Sequence, residues 1–145
     1  MPNWNNELGR RTLERIQSEQ VIWLTTVSTQ GVPQPRPVWF VWDGFAFTIY
    51  STPQAKKIVH INHNPNVALH FNTDTGGEDI QVILGNAHVD TSTPPSNMNV
   101  AYSQKYHAGI LALGMGEEQY AATFSVAIRI IPFRLRGLDP IPGLG

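Results

Sequence analysis

The stretch that decides the fold is Pro33–Gly44, "PQPRPVWFVWDG", which carries a proline at every second position of its first half. The N–H groups of a strand point alternately to its two sides, so Pro33, Pro35 and Pro37 all lack the donor on the same side. A strand that cannot form a ladder on one side belongs at an edge or a split of a sheet. We therefore predict that this stretch, the proline strand, lies at an edge or a split of the sheet, although protection against aggregation alone would also explain the prolines.

The segments around the proline strand are β-rich runs separated by turns and short helices. Asp43-Gly44 indicates a hairpin, since both residues tolerate positive φ. Six strands favour a mainly β fold, an antiparallel barrel with peripheral helices, while the strand–helix–strand order over 45–72 leaves a mixed α+β sheet as the alternative. The predicted strands are Val21–Thr29, the proline strand, Phe45–Ser51, Val67–Asn72, Ile80–Val89 and Ser125–Leu135, and the predicted helices are 7–18, 53–63, Asn99–Leu113 and Glu117–Ala122.

The composition suits a globular protein and excludes several classes of function. The chain has 145 residues, 41% of them hydrophobic, and we expect one domain over 1–145 with an N-terminal helix within 1–19 and a loose tail at 138–145. The net charge of −1 argues against nucleic acid or membrane partners, and the lack of cysteine excludes disulfides and thiolate chemistry. Since the sequence shows neither a signal peptide nor a long apolar run, we expect a cytoplasmic protein.

Arg36 is the first candidate for binding an anion. It stands between two prolines, so its backbone is stiff, and its planar guanidinium suits bidentate contact with phosphate or carboxylate. The flat apolar residues that follow it could face a planar ligand. A solvated surface arginine is the alternative interpretation.

The segment "STPQAKK" gives a second indication of an anion site. Thr52 suits a helix N-cap and Pro53 the first helical position, which would put Lys56 and Lys57 at the positive end of the helix dipole. The dipole disfavours each cation there by about 0.3–1 kcal/mol, so a bound anion would explain them, although a solvated basic turn is the alternative. Joined through the hairpin, the candidate phosphate ligands are Arg36, Ser51, Thr52, Lys56 and Lys57.

The remaining candidates are weaker. His60 and His63 lie three residues apart on a predicted helix, but no acidic or cysteine ligand accompanies them, so we predict no metal site. The sequence contains no phosphate-binding glycine loop and no nucleophile motif, and it identifies no catalytic residue. If the protein is an enzyme, we expect a cofactor to carry the chemistry.

Four segments in this order and spacing resemble the pyridoxamine 5′-phosphate oxidase-like flavin-binding proteins, and within them the F-420-dependent branch. They are "WLTTVSTQGVPQPRPVWFVWDG", "FTIYSTPQAKKIVHINHNPNVALHF", "IQVILGNAHV" and "PFRLRG", and the likeness spans about residues 20–137. The resemblance implies a six-stranded split β-barrel that forms a homodimer. It also implies FMN or the deazaflavin coenzyme F-420 in a cleft at the subunit interface.

The resemblance also assigns roles to individual residues. It implies a cofactor phosphate at the basic residues and strand-end hydroxyls, a ring beside the end of the proline strand, and one contact from a later strand. The residues are Arg36, Lys56, Lys57, Ser51 and Thr52 for the phosphate, Pro37, Val38 and Trp39 for the ring, and Gln81 from the later strand.

The function that the resemblance implies is an oxidoreductase that transfers hydride to or from a small organic substrate. The main alternative is a non-catalytic flavin carrier or sensor. A haem-binding variant would need His60, His63 or His107 as a ligand. A barrel for single-stranded nucleic acid would need a basic groove with aromatic residues, which the near-neutral charge opposes.

Overall fold

Seven strands form one antiparallel sheet in the computed structural model of the protein, which describes residues 1–138. Along the sheet the strands follow the order β2-β1-β5-β6-β7-β4-β3. The strands are β1 (Ile22–Val27), β2 (Pro33–Val38), β3 (Val41–Trp42), β4 (Phe47–Ser51), β5 (Asn66–His70), β6 (Val82–Val89) and β7 (Val126–Arg136), and the helices are α1 (Glu7–Ser18), α2 (Lys56–His63), α3 (Val100–Ala112) and α4 (Glu117–Thr123), with a 3-10 turn at Ser96–Met98.

The two ends of the sheet meet at Trp39 and Phe40. The first strand in the sheet order is β2 and the last is β3, yet only these two residues separate them in the chain. The sheet must therefore curl until its edges come together, which makes it a barrel split at this point. The predicted proline strand breaks here into β2 and β3, so the described residues form seven strands where we predicted six. Each pairing among the described strands is antiparallel, which excludes the mixed sheet.

The prediction that the proline strand lies at an edge is confirmed. β2 pairs with β1 alone, in a register that sets Pro33 against Val27 and Pro37 against Trp23. Because prolines have no N–H, the ladder to β1 must use the intervening residues, among them Arg36. The outer side of β2 therefore presents carbonyl acceptors without matching donors.

Helix α3 closes the split with polar side chains. The N–H of Phe40 donates to the hydroxyl of Tyr106 at 2.8 Å, and this hydroxyl also lies 2.8 Å from the carbonyl oxygen of Gln20. Lys105 Nζ donates to the Phe40 carbonyl at 3.0 Å and sits 3.7 Å from the centre of the Phe40 ring. Both backbone groups of Phe40, which lie outside the ladder at the strand break, are thereby satisfied.

The hairpin predicted at Asp43-Gly44 is present, with a longer loop than two residues. Asp43 Oδ1 accepts the N–H groups of Phe45 and Ala46, both at 2.8 Å, and Gly44 takes a φ of +92°. The returning strand therefore begins at Phe47 rather than Phe45. Inside the barrel lie Ile22, Leu24, Phe40, Phe47, Ile49, Leu69, Ile83, Ile128 and Ile130.

Two findings concern the ends of the chain and the membrane. Apart from Leu138, the tail predicted at 138–145 lies outside the described residues. Across residues 1–138, every helix is too short or too polar to cross a bilayer.

Candidate functional site

A cavity of about 630 Å³, the anion cavity, opens between the β1–β2 hairpin and helix α2. Its floor comes from β1 and β2, and α2 forms one wall. The side chains that line it combine four basic groups with neutral polar groups and apolar ones. They are Leu24, Thr26, Ser28, Thr29, Gln30, Val32, Gln34, Arg36, Ala55, Lys56, Lys57, Val59 and His60.

The basic side chains of the anion cavity come from two elements, as the sequence predicted. Arg36 is on β2, and Lys56 and Lys57 form the first turn of α2. No carboxylate lines the cavity, and within residues 1–138 none of these three cations forms a salt bridge. Among the same residues, the guanidinium of Arg36 donates only to its neighbour, the carbonyl of Pro35, at 3.1 Å. The cavity therefore holds positive charge that the described chain does not neutralise.

The pKa of Lys57 is lowered, and the uncompensated charge of the cavity is one of the causes. Burial lowers the pKa of Lys57 below its usual value, and the positive charge of Arg36 lowers it further. Both causes disfavour the charged ammonium in the free protein. An anion bound between the two side chains would offset the repulsion from Arg36. It would favour the charged ammonium of Lys57 and so raise the pKa of Lys57.

The start of α2 differs from the prediction. We expected Thr52 as the N-cap, but the helix begins at Lys56 and its N-cap is Ala55, which has no side-chain acceptor. The segment from Thr52 instead forms a turn, in which the Thr52 carbonyl accepts the N–H of Ala55 at 3.2 Å. Within the described chain, the backbone N–H groups of Lys56 and Lys57 have no hydrogen-bond partner, so both are available to an anion.

A second cavity of about 350 Å³, the aromatic cavity, lies on the other side of Lys57. The two cavities follow each other along β2: Arg36 lines the anion cavity, and the next residue, Pro37, lines the aromatic cavity. Apart from Lys57, its walls are apolar or tyrosine side chains. The lining residues are Val21, Pro37, Val38, Trp39, Tyr50, Lys57, Tyr102, Leu113, Tyr120 and Phe124.

Helices α3 and α4 supply the aromatic wall by stacking on Trp39. The Trp39 ring is 4.6 Å from that of Tyr106 at an interplanar angle of 3°, and 5.8 Å from that of Tyr120 at 18°. Gly109 permits this approach, because a Cβ there would lie 2.9 Å from the Trp39 ring. Sequence reasoning did not find these tyrosines as site residues, since their contacts with Trp39 span more than sixty positions.

The tyrosine hydroxyls of the aromatic cavity are neutral and paired. The hydroxyls of Tyr102 and Tyr120 lie 2.8 Å apart, and Tyr50 donates to the carbonyl of Pro94 at 2.7 Å. Burial raises the pKa of each of these three tyrosines. The cavity can therefore receive a flat, weakly polar group without introducing a phenolate.

Three predicted residues lie outside the lining of both cavities. Ser51 is buried, and its hydroxyl donates to the carbonyl of Thr52 at 3.1 Å. Gln81 lies against helix α1, where it accepts from Arg15 at 2.8 Å and donates to Asp79. The structure thus brings together Arg36, Pro37, Val38, Trp39, Lys56 and Lys57 and leaves Ser51, Thr52 and Gln81 outside the lining of both cavities.

The anion cavity contains one feature that sequence analysis treated differently. His60, considered only as a metal or haem ligand, lines this cavity and bonds through Nδ1 to Thr26 Oγ1 at 2.8 Å. Residues 1–138 contain no cluster of three or more His, Cys, Asp or Glu side chains that could hold a metal ion. His60 follows Lys56 by four residues and Lys57 by three, which is the spacing of residues on one face of a helix. This spacing is the sequence feature that could have placed His60 in the cavity.

An antiparallel barrel split at one strand, with helices outside it, defines the class of split-barrel proteins. Residues 8–136 match the sequence profile of the pyridoxamine 5′-phosphate oxidase family, and the chain belongs to this family. The comparison with curated proteins finds no match.

Several solved structures share the fold. A proposed pyridoxamine 5′-phosphate oxidase from Listeria innocua is 25% identical with a TM-score of 0.70, over 92% of this chain and 100% of the other. General stress protein 26 of Bacillus anthracis is 22% identical with a TM-score of 0.70, over 94% and 97%. An F420 reductase is 22% identical with a TM-score of 0.65, over 85% and 94%. The latter two likenesses show the fold alone.

Proposed function

We propose that the protein is an oxidoreductase that binds FMN or coenzyme F-420 and transfers hydride to or from a small organic substrate. One observation carries the proposal: a cationic cavity and an aromatic cavity adjoin along β2 and share Lys57. A cofactor with a phosphate at one end and a flat ring at the other has the same division of chemistry. The family binds flavins, and one structural neighbour is an F420 reductase, which supports both candidate cofactors.

The anion cavity fits the phosphate of either cofactor. Arg36 offers a forked donor, Lys57 a point charge, and the first turn of α2 two unpaired N–H groups. Because the lining contains no carboxylate, a bound phosphate would face no like charge there. Charge-assisted bonds of this kind contribute about 1.5–3 kcal/mol each. Lys56, which is exposed at the rim, would add a weaker contribution.

The aromatic cavity fits the ring. Trp39 and the tyrosines give flat walls, and the outer side of β2 offers carbonyl acceptors for a ring N–H. When bound, the cofactor supplies the ring position that accepts or donates hydride. The chain itself binds and orients the ring and excludes water with apolar walls. Because burial keeps the tyrosines neutral, Lys57 is the one charged side chain among the described residues that line this cavity.

We also propose a homodimer whose second subunit covers this site. Val21 and Leu113 line the aromatic cavity and are 37% and 56% exposed, and the adjoining strand β2 is an unpaired edge. Apolar residues exposed around a cavity mark a surface that a partner covers. Sedimentation velocity at micromolar protein should give twice the chain mass of 16.1 kDa. A monomer would contradict the dimer and leave the cavities open to solvent.

A non-catalytic flavin carrier or sensor is the alternative function. One observation favours it: the hydroxyls that line the aromatic cavity already bond to other groups of the chain, as in the pair of Tyr102 and Tyr120. A site whose tyrosine hydroxyls are already engaged suits a protein that binds a cofactor without turning over a substrate. A bound cofactor that no donor reduces and no acceptor oxidises would support this alternative.

A fluorescence titration with FMN and, separately, with F-420 tests the proposal. We expect saturable quenching or enhancement with one of the two, at a stoichiometry of one per chain. The loaded protein would then be mixed anaerobically with hydride donors and acceptors while the cofactor absorbance is followed. If neither cofactor binds to folded protein, the proposed function is wrong. If one binds but never changes redox state, the carrier alternative replaces it.

A further inference from the structure

His60 lies in the wall of the anion cavity, next to two lysines on the same helix. Its Nδ1 atom is 2.8 Å from Oγ1 of Thr26, a residue that is only 2% exposed on the neighbouring strand β1. This contact fixes one ring nitrogen against the barrel. Within the described chain, the other ring nitrogen, Nε2, has no hydrogen-bond partner. Within the described chain, Nε2 is therefore the ring nitrogen that can still bind a ligand, and the His60 side chain that carries it lines the anion cavity.

The Thr26 hydroxyl can serve either form of the ring. It can donate to Nδ1 of the neutral imidazole, which then carries its proton on Nε2, or accept from Nδ1 of the imidazolium. In both cases Nε2–H is available as a donor. In the imidazolium this donor also carries charge, which strengthens its bond to an anion.

The groups around His60 make its charge depend on what fills the cavity. Helix α2 packs on β1, which has no ionisable side chain, and on β6, whose one ionisable residue, His88, interacts with Asp90 instead. The charges that face the cavity are those of Arg36, Lys56 and Lys57. A dianion bound among these cations would favour a proton on the neighbouring imidazole of His60.

We propose that His60 is a fourth ligand of the anion in this cavity and that it takes up a proton when a dianion binds. The inference rests on the proposed function in that it uses the same cavity, but it requires only an anion and not the cofactor ring. Binding and protonation are then linked, so the affinity for a dianion must fall as pH rises through the range in which histidine titrates. In the phosphate of a cofactor, this would make retention sensitive to pH near neutrality.

Inorganic sulfate is the probe, because it stays a dianion across this range while a phosphate does not. Its affinity for the full chain would be measured by calorimetry at constant ionic strength. We expect binding roughly tenfold weaker at about pH 8 than at about pH 6, since a shift of one unit in the pKa of the linked group on binding changes the affinity about tenfold. For His60→Gln, which keeps a polar side chain without a titrating ring, we expect less than about a twofold change over the same interval.

Two further variants give the controls. His63→Gln alters an exposed histidine on the same helix that does not line the cavity, and it should behave as the wild type. Thr26→Val removes the hydroxyl that holds Nδ1, and it should reduce the pH dependence without removing the histidine. Proton uptake, measured in two buffers of different ionisation enthalpy, should be present in the wild type and His63→Gln and lost in His60→Gln.

The outcomes separate this inference from the proposed function. If His60→Gln keeps the full pH dependence, Lys57, whose pKa is lowered, carries it, and the inference is wrong. If FMN or F-420 binds but sulfate does not compete with it, the inference is again wrong while the proposed function stands. If neither cofactor nor sulfate binds to folded protein, both are wrong.

Discussion

The two cavities that meet at Lys57 are built in different ways. The anion cavity is lined by β1, β2, the loop between them and α2, and all of its lining residues lie between Leu24 and His60 in the chain. The aromatic cavity needs Trp39 to meet rings on α3 and α4, more than sixty residues later. Local charges that oppose a helix dipole stand out in a sequence, whereas distant stacking partners do not. In the proposed function, the first cavity would hold a ligand by charge, and the second by a shape that only the folded chain provides.

Removing charge from the anion cavity should have the largest effect. Arg36→Ala and Lys57→Ala should each weaken cofactor binding by roughly 1.5–3 kcal/mol, because each removes a charge-assisted bond. Fluorescence titration of FMN or F-420 measures the loss. Arg10→Ala, an exposed arginine of α1 that lines neither cavity, is the matched control and should bind as the wild type. Unchanged affinity in both cavity variants would remove Arg36 and Lys57 from the phosphate site.

Removing a hydrogen bond that closes the split should have the second-largest effect. Tyr106→Phe keeps the ring on Trp39 but leaves the buried N–H of Phe40 without its acceptor at 2.8 Å. An unsatisfied buried donor costs about 2 kcal/mol of unfolding free energy. Urea denaturation measures this loss. Tyr120→Phe is the comparison: its hydroxyl bonds to another side chain, so no backbone group is left unsatisfied and the loss should be smaller. Equal losses would show that Tyr106 does not hold the strand break.

The close approach of α3 to Trp39 should have a moderate effect. Gly109→Ala places a methyl group 2.9 Å from the Trp39 ring, which would have to shift within its stack. We expect about 1 kcal/mol of lost stability from overpacking, with weaker binding of the cofactor ring but unchanged binding of sulfate. Gly76→Ala, whose added methyl group would meet only a flexible side chain at 3.8 Å, is the control. Loss of sulfate binding in Gly109→Ala would show that the two cavities are not independent.

The pH dependence of Lys57 should be the smallest effect. Because its pKa is lowered from 10.5, the ammonium is lost at lower pH than usual, and anion binding should weaken as pH rises through that lowered value. For the stability of the free protein the dependence on pH has the opposite sign. Between the lowered pKa and the usual one, the unfolded chain binds more protons than the folded chain, so the free energy of unfolding rises with pH. Lys57→Arg stays charged and should retain alkaline binding a few-fold better than the wild type. Lys56→Arg, at the exposed rim, should not.

Much of the fold was predictable from the sequence. The alternating prolines correctly indicated an edge, and Asp43-Gly44 correctly indicated a hairpin. The break at Trp39 and Phe40 was not predicted, because "VWFVW" has a continuous β pattern and only the sheet order shows its two ends at opposite edges. Hydrogen bonds from α3 stabilise that break, and they are absent from any local pattern.

The candidate site divides in the same way. The meeting of Arg36 with Lys57 was predicted from the anomaly of cations at a helix start and from the family resemblance. Thr52 was misplaced as the N-cap, because Pro53 and Gln54 form a turn before the helix rather than its first residues. The contact of Gln81 with Arg15 depends on how α1 packs on the sheet, and its spacing in the sequence does not reveal that packing.

A comparison of two ligand pairs tests the central claim, which is that one cofactor occupies both cavities. FMN would be titrated beside riboflavin, or F-420 beside its phosphate-free deazaflavin core, into the wild type, Arg36→Ala and Lys57→Ala. If one cofactor occupies both cavities, the phosphate should raise wild-type affinity roughly ten- to hundredfold, and most of this gain should disappear in both variants. Equal affinity with and without the phosphate in the wild type would contradict it.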